Sequence, residues 1–158
     1  MIILYKPEGG TEEALDAGRL RASEIQTIER TADDRWDLIK ERMRQGDVNA
    51  LRTVAWAIKR RTHAALRYGD FDPYEDELVV RLDDREVAVY AAGLFEKYRD
   101  TEDLDAAFDE LRDVAFNREA ADRAIADVTA PKDPAPEKPL PEPEPIPAQD
   151  TEASPTAS

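Results

Sequence analysis

Few residues in this chain could do chemistry. The run Tyr68-Gly69-Asp70-Phe71-Asp72-Pro73-Tyr74 offers Asp70 and Asp72 at the spacing of the first calcium ligands of an EF-hand loop. The rest of that loop is missing. Counted from Asp70, the fifth position is Tyr74, the sixth is Glu75 where glycine is required, and the twelfth is Arg81 in place of glutamate. These acids read instead as turn caps or as partners for Arg67. His63 is the single histidine and cysteine is absent, so a closed zinc site lacks ligands and neither thiol chemistry nor a disulfide framework is available. No nucleophile–histidine pair stands out. With 36 acidic residues, no two carboxylates can be singled out for acid–base work. The chain reads as a non-enzyme, without cofactor or metal.

Charge is the second chemical signal. A formal charge of −14 opposes general binding to nucleic acid, which needs a basic footprint. Residues 40–67 run the other way, with eight bases (Lys40, Arg42, Arg44, Arg52, Lys59, Arg60, Arg61, Arg67) against Glu41 and Asp47. That stretch is +6, leaving −20 elsewhere. Such a segment meets either an acidic partner or the chain's own acidic helices, and self-pairing is the commoner fate.

The elements that must position these groups are mainly helical. Ser23 and Gln26 form a capping-box pattern opening a first helix, with Ile25, Ile28 and Ala32 on one side. Asp33 or Asp34 restarts a second, striped by Trp36, Ile39 and Met43 and stopped by Gly46. Asp47 caps a third, whose inner face is Leu51, Val54, Ala55 and Ile58 with Trp56 on a flank. Trp36 and Trp56 would dominate the buried area between these helices. Gly69 and Pro73 make 68–74 a loop, and the alternation Leu78, Val80, Leu82 predicts one short strand. Val87, Ala91, Leu94, Phe95 and Tyr98 fit a helix face, while Val87 to Tyr90 could pair in a hairpin; the longer period is better obeyed. Thr101 is expected to cap one long final helix, striped from Leu104 through Phe108, Leu111 and Val114 to Ile125 and Val128, with Glu119 paired to Arg123.

Nine of the eleven prolines lie at or after Pro131, and all eleven aromatic residues lie before it. The Pro/Glu-rich end cannot bury enough apolar surface to offset its ordering entropy, and its PxxP spacing at Pro131 and Pro134 is a weak signal. The expected organisation is therefore a partly ordered segment over 1–22, a helical domain over 23–128 and a disordered acidic tail over 129–158. The fold class is mainly α, a small helical bundle with one short strand or hairpin. The start, Met1 to Tyr5, has no preceding base and does not read as a signal peptide, and no window reaches membrane-span length.

The block from Ser23 to Phe71 resembles the tail assembly chaperones of long-tailed bacteriophages, particularly those of actinobacteria. The resemblance rests on Glu24, Ile28-Glu29-Arg30, Trp36, Ala50-Leu51, Trp56, Arg60-Arg61 and the run His63 to Asp70, in that order. It covers about a third of the chain. Ala64 stands where the family often has proline, which implies that the third helix runs on toward Leu66.

The resemblance implies a non-enzymatic factor of the host cytoplasm that coats the helical tape-measure protein, assists delivery of tail-tube subunits, and is absent from the mature virion. Trp36, Trp56, Arg60, Arg61, Phe71 and Tyr74 are the candidate partner-contacting residues; for Trp56, Phe71 and Tyr74, internal packing is the competing reading. Self-association stays open. The alternative function is a helix-turn-helix regulator, with helix 34–45, a turn at Gly46 and a basic helix 47–63. Against it, that helix opens with Asp47-Val48-Asn49-Ala50 rather than with bases.

Overall fold

The structure, a computed structural model, describes residues 1–130 of the 158; the expected acidic tail lies outside these from residue 131 onward. Within them the chain is mostly helical and carries a three-stranded antiparallel sheet. The order is β1 (Ile2–Tyr5), β2 (Glu13–Asp16), α1 (Ala22–Ala32), α2 (Trp36–Arg44), α3 (Val48–Lys59), β3 (Leu78–Arg81), α4 (Asp84–Tyr98), α5 (Leu104–Val114) and α6 (Arg118–Thr129). None of these helices is long and apolar enough to cross a membrane.

The predicted strand is β3, but it does not stand alone. Residues 1–22 supply two further strands, and β1 sits between β2 and β3. Ile3, Leu15 and Leu78 point to the core from the sheet's inner face and are all buried. The alternation of a pleated strand places Leu4, Ala14 and Val79 on the other face. The N-terminal segment is thus part of the same core as the first three helices. Met1, Ile3, Leu15 and Ala17 pack with Ile28, Ile39, Met43, Val54, Trp56 and Phe71.

Local chemistry sets the helix ends, not always where the spacing predicts. Ser23 does not cap α1. The Glu24 carboxylate reaches back to accept the Arg21 amide at 2.6 Å, which starts the helix earlier and leaves Ser23 within its first turn. Asp33, at φ 51°, closes α1, and the Glu29 carboxylate accepts the Trp36 amide at 2.9 Å to launch α2. Gly46 turns the chain at φ 79°, and Asp47 caps α3 by accepting the Ala50 amide at 2.9 Å.

The third helix stops at Lys59 and runs neither to residue 63 nor toward Leu66. Its tail tightens into i→i+3 bonds, Arg61 N–H to the Ile58 carbonyl and Thr62 N–H to that of Lys59. The chain then folds back so that the Leu66 carbonyl receives the Trp56 indole N–H at 3.1 Å.

Residues 84–98 are helical, not a hairpin. The expected single final helix is two. Leu82 donates to the Val114 carbonyl and accepts from the Phe116 amide, both at 2.9 Å, and this parallel bridge to Ala115 pulls residues 115–117 out of the helix. Asn117 then caps α6 through the amides of Glu119 and Ala120. Thr101 does not cap α5: its hydroxyl returns to the Tyr98 carbonyl, and Asp103 holds the cap position. Among the described residues Glu119 and Arg123 form no ion pair; Arg112 instead ties α5 to α6 through Asp122 at 2.7 Å. The three C-terminal helices share a second apolar cluster of Val87, Ala91, Phe108, Leu111, Ala121 and Ile125.

Candidate binding cleft

The Ser23–Phe71 block is largely an internal scaffold. Trp56 and Phe71 are buried, at 7% and 4% exposure, so internal packing is the reading that holds for both and neither offers a contact surface. Trp56 stands edge-on to Tyr68, and Phe71 edge-on to Tyr5, with centroids 5.3 Å apart in each case. Trp36 is half-buried against the same core, with the Lys40 ammonium 5.9 Å from its ring. Tyr74 differs: it is 69% exposed and free to meet a partner.

The bases of the block turn inward on the chain's own acceptors. Arg61 grips Glu24 with two bonds, at 2.6 and 2.8 Å, and also donates to the Arg19 carbonyl. Arg42 binds Asp47 and Asp34, Lys59 holds Glu13 at 2.8 Å, and Arg44 reaches Glu41. Arg52 donates to the carbonyls of Phe71 and Tyr68 and stacks on the Tyr68 ring at 4.4 Å. Arg60 lies over Trp56, 5.1 Å from its centroid. Five of the eight bases are therefore ion-paired within the chain, which is the self-pairing expected of the +6 segment. The hydrogen bond from Arg61 holds the Glu24 carboxyl below its ordinary range, and the Ala50 amide does the same for Asp47.

An apolar opening lies elsewhere, where the sheet-bearing half meets the C-terminal helices. A cleft of about 420 Å³ is walled by Met1 and Val80 on one side and by Leu82, Tyr90, Leu94, Ala107, Leu111 and Val114 on the other. Among the described residues, Arg44 and Glu110 are the charged side chains in its lining. Tyr90 and Val114 remain exposed at 47% and 37%. Two contacts fix the halves around the cleft. One is the Leu82 bridge to the end of α5; the other joins the Met1 amine to Asp83 and to Glu86, the latter at 2.6 Å.

None of the residues singled out from the sequence as partner-contacting lines this cleft. Leu94 and Val114 read there as core stripe, and Tyr90 as part of a strand alternative. One signal was available: from Val87 to Phe95 the chain carries nine residues without a charge, more than a one-sided helix needs. Chemically, the cleft can hold an aliphatic or aromatic side chain and exclude water from it. It brings no nucleophile beside a base, and among the described residues no three His, Asp or Glu side chains converge on a metal position. Comparison with protein-family models, with curated proteins and with solved structures returns no match.

Proposed function

We propose that this chain is a non-enzymatic assembly factor that seats apolar side chains of a helical client in the cleft between its sheet-bearing half and α4–α5. The carrying observation is the cleft itself: eight apolar residues and two charged ones around about 420 Å³, on a protein of net charge −14. An apolar groove of this kind suits the stripe of an amphipathic helix. The surrounding negative charge keeps the bound pair dispersed.

The resemblance carried by the Ser23–Phe71 block gives the client its identity in this proposal. It is the tape-measure protein of a long-tailed phage, held soluble in the host cytoplasm while tail-tube subunits are added. Burial gives the helix-turn-helix alternative no support. Eight consecutive or near-consecutive residues of α3, from Ala50 to Ile58, are buried, and at its basic end Lys59 and Arg61 are engaged with Glu13 and Glu24.

The test is co-expression with the tape-measure protein of a long-tailed actinobacterial phage. The soluble fraction of the client should rise with the wild-type chain and fall back with Val114→Glu or Tyr90→Glu at the cleft rim. A client equally insoluble with and without this chain sinks the proposal.

A further inference from the structure

The side of α4 facing away from α5 and α6 carries little charge. Val87 and Ala91 are buried, whereas Ala88, Val89, Ala92 and Gly93 are exposed, Val89 at 72%. At 3.6 residues per turn, Arg85, Val89, Ala92 and Glu96 fall in one narrow stripe opposite the buried side, spaced four, three and four residues. The stripe has an apolar centre, a cation at one end and an anion at the other. Neither Arg85 nor Glu96 has an ion-pair partner among the described residues. They cannot pair with each other, because eleven residues of helix separate them by about 16 Å. The outer faces of α5 and α6 are built differently, with charges such as Asp105, Asp109, Asp113 and Arg123.

We infer that this face of α4 is an interface with a second copy of the chain, the two α4 helices packing antiparallel about a two-fold axis. With the axis passing between Tyr90 and Ala91, Arg85 lies opposite Glu96 of the second copy, and Val89 lies opposite Ala92 of the second copy. The two-fold repeats both pairs, so each end of the apolar centre closes on opposite charges. That complementarity is what selects a second copy. An unrelated helix would need the same cation and anion at the same separation and in reverse order. Ala92 and the side-chain-free Gly93, beside which a Cβ would meet nothing within 4 Å, let the helix axes approach closely. A single helix pair buries less than the ~1,200 Å² of stable interfaces, so the association is weak. Tyr90 and Leu94 lie on another side of α4, so pairing leaves both clefts open. The inference stands apart from the client proposal.

Sedimentation of the full chain, from low-micromolar to near-millimolar concentration, tests it. The wild type should associate reversibly to a dimer. R85E and E96R should each raise the dissociation constant by about tenfold or more, because each sets like charges opposite each other at both ends. An equimolar mixture of R85E and E96R should dimerise again, since the introduced glutamate then faces the introduced arginine. Both positions are exposed, and circular dichroism of each variant should match the wild type. A wild type that stays monomeric throughout overturns the inference, as does a dimer that both reversals leave untouched. So does a photo-cross-linker at position 89 that joins only other segments of its own chain or only a different protein.

Discussion

Arg61 and Glu24 form a two-pronged ion pair, with Nε to Oε1 at 2.6 Å and an Nη to Oε2 at 2.8 Å, between residues 37 positions apart. The same Glu24 oxygen that takes the Nη also accepts the Arg21 amide. One carboxylate therefore starts α1 and anchors it to the residues just after α3. The two side chains are 33% and 13% exposed, which places the pair between the weak regime of open surface and the costly regime of a sealed interior.

Removing either partner should destabilise the fold unequally. Arg61→Ala loses the fork and the bond to the Arg19 carbonyl, at about 1 kcal/mol, whereas Glu24→Ala loses the fork and strips the cap from Arg21 and should cost about 2 kcal/mol. Urea unfolding of both single variants and the double variant checks this. A coupling energy near zero would mean that the fork contributes nothing.

Acid should act through the same carboxylate and two others. The Arg61 hydrogen bond lowers Glu24, and the Ala50 amide lowers Asp47. At Asp83 burial is the largest single influence and pushes upward, but the bond and charge of the Met1 amine together with the amides of Glu86 and Arg85 outweigh it, so it too is lowered. A carboxyl lowered in the folded state stabilises the fold above its unfolded value, near 4, and loses that contribution as pH falls through the folded value. Stability should thus be flat above about pH 5 and decline below about pH 4. The gap between wild type and Glu24→Gln should close over the same range. Unfolding midpoints that stay constant down to pH 3 would contradict this.

The helices of the first half are legible because their stripes, Trp36-Ile39-Met43 above all, follow the 3.6 period and are bounded by Gly46 and Asp47. The rest escapes the sequence for physical reasons. Glu13-Ala14-Leu15-Asp16 has no strand signal of its own and is extended because β1 offers it a ladder. The break between α5 and α6 is imposed by the backbone of Leu82, more than 30 residues away, against a helical stripe that runs straight through it. The cleft is invisible for the same reason: Met1 and Val80 meet Leu94 and Val114 only after both halves have formed. The block's tryptophans and bases recur in an ordered pattern that reads equally well as a surface or a scaffold, and only burial separates the two.

Trp56 should be the costlier tryptophan to lose. Its ring fills the first core and its indole N–H satisfies the Leu66 carbonyl, so Trp56→Phe sacrifices a hydrogen bond at about 1–2 kcal/mol and Trp56→Ala should cost about 3–5 kcal/mol. Half-buried Trp36 should cost less. Fluorescence offers a second measure, since Trp36→Phe should leave an emission shielded from acrylamide and Trp56→Phe an emission open to it.

Gly46 should resist replacement although it has room. A Cβ there meets nothing within 4 Å, yet φ is 79°, so Gly46→Ala should cost about 1 kcal/mol through backbone strain alone. Gly69, equally open and without positive φ, should accept alanine with little change. Thermal midpoints of the two variants decide the point, and equal losses would place the strain elsewhere.

The cleft should separate folding from function. Tyr90 and Val114 are half-exposed at its rim, and acidic substitution there removes little packing, so Tyr90→Glu and Val114→Glu should shift stability by no more than about 0.5–1 kcal/mol. Leu111 on the cleft floor belongs to the buried cluster, and Leu111→Ala should cost about 2–4 kcal/mol. If the cleft holds the client, the rim variants should lose client solubilisation at nearly native stability, because an introduced carboxylate would have to be desolvated beside an apolar side chain. Leu111→Ala should lose both together. Thermal unfolding paired with the soluble fraction of co-expressed client measures the two quantities side by side. Rim variants that solubilise the client as well as the wild type would move the binding surface off the cleft, with exposed Tyr74 the next position to test.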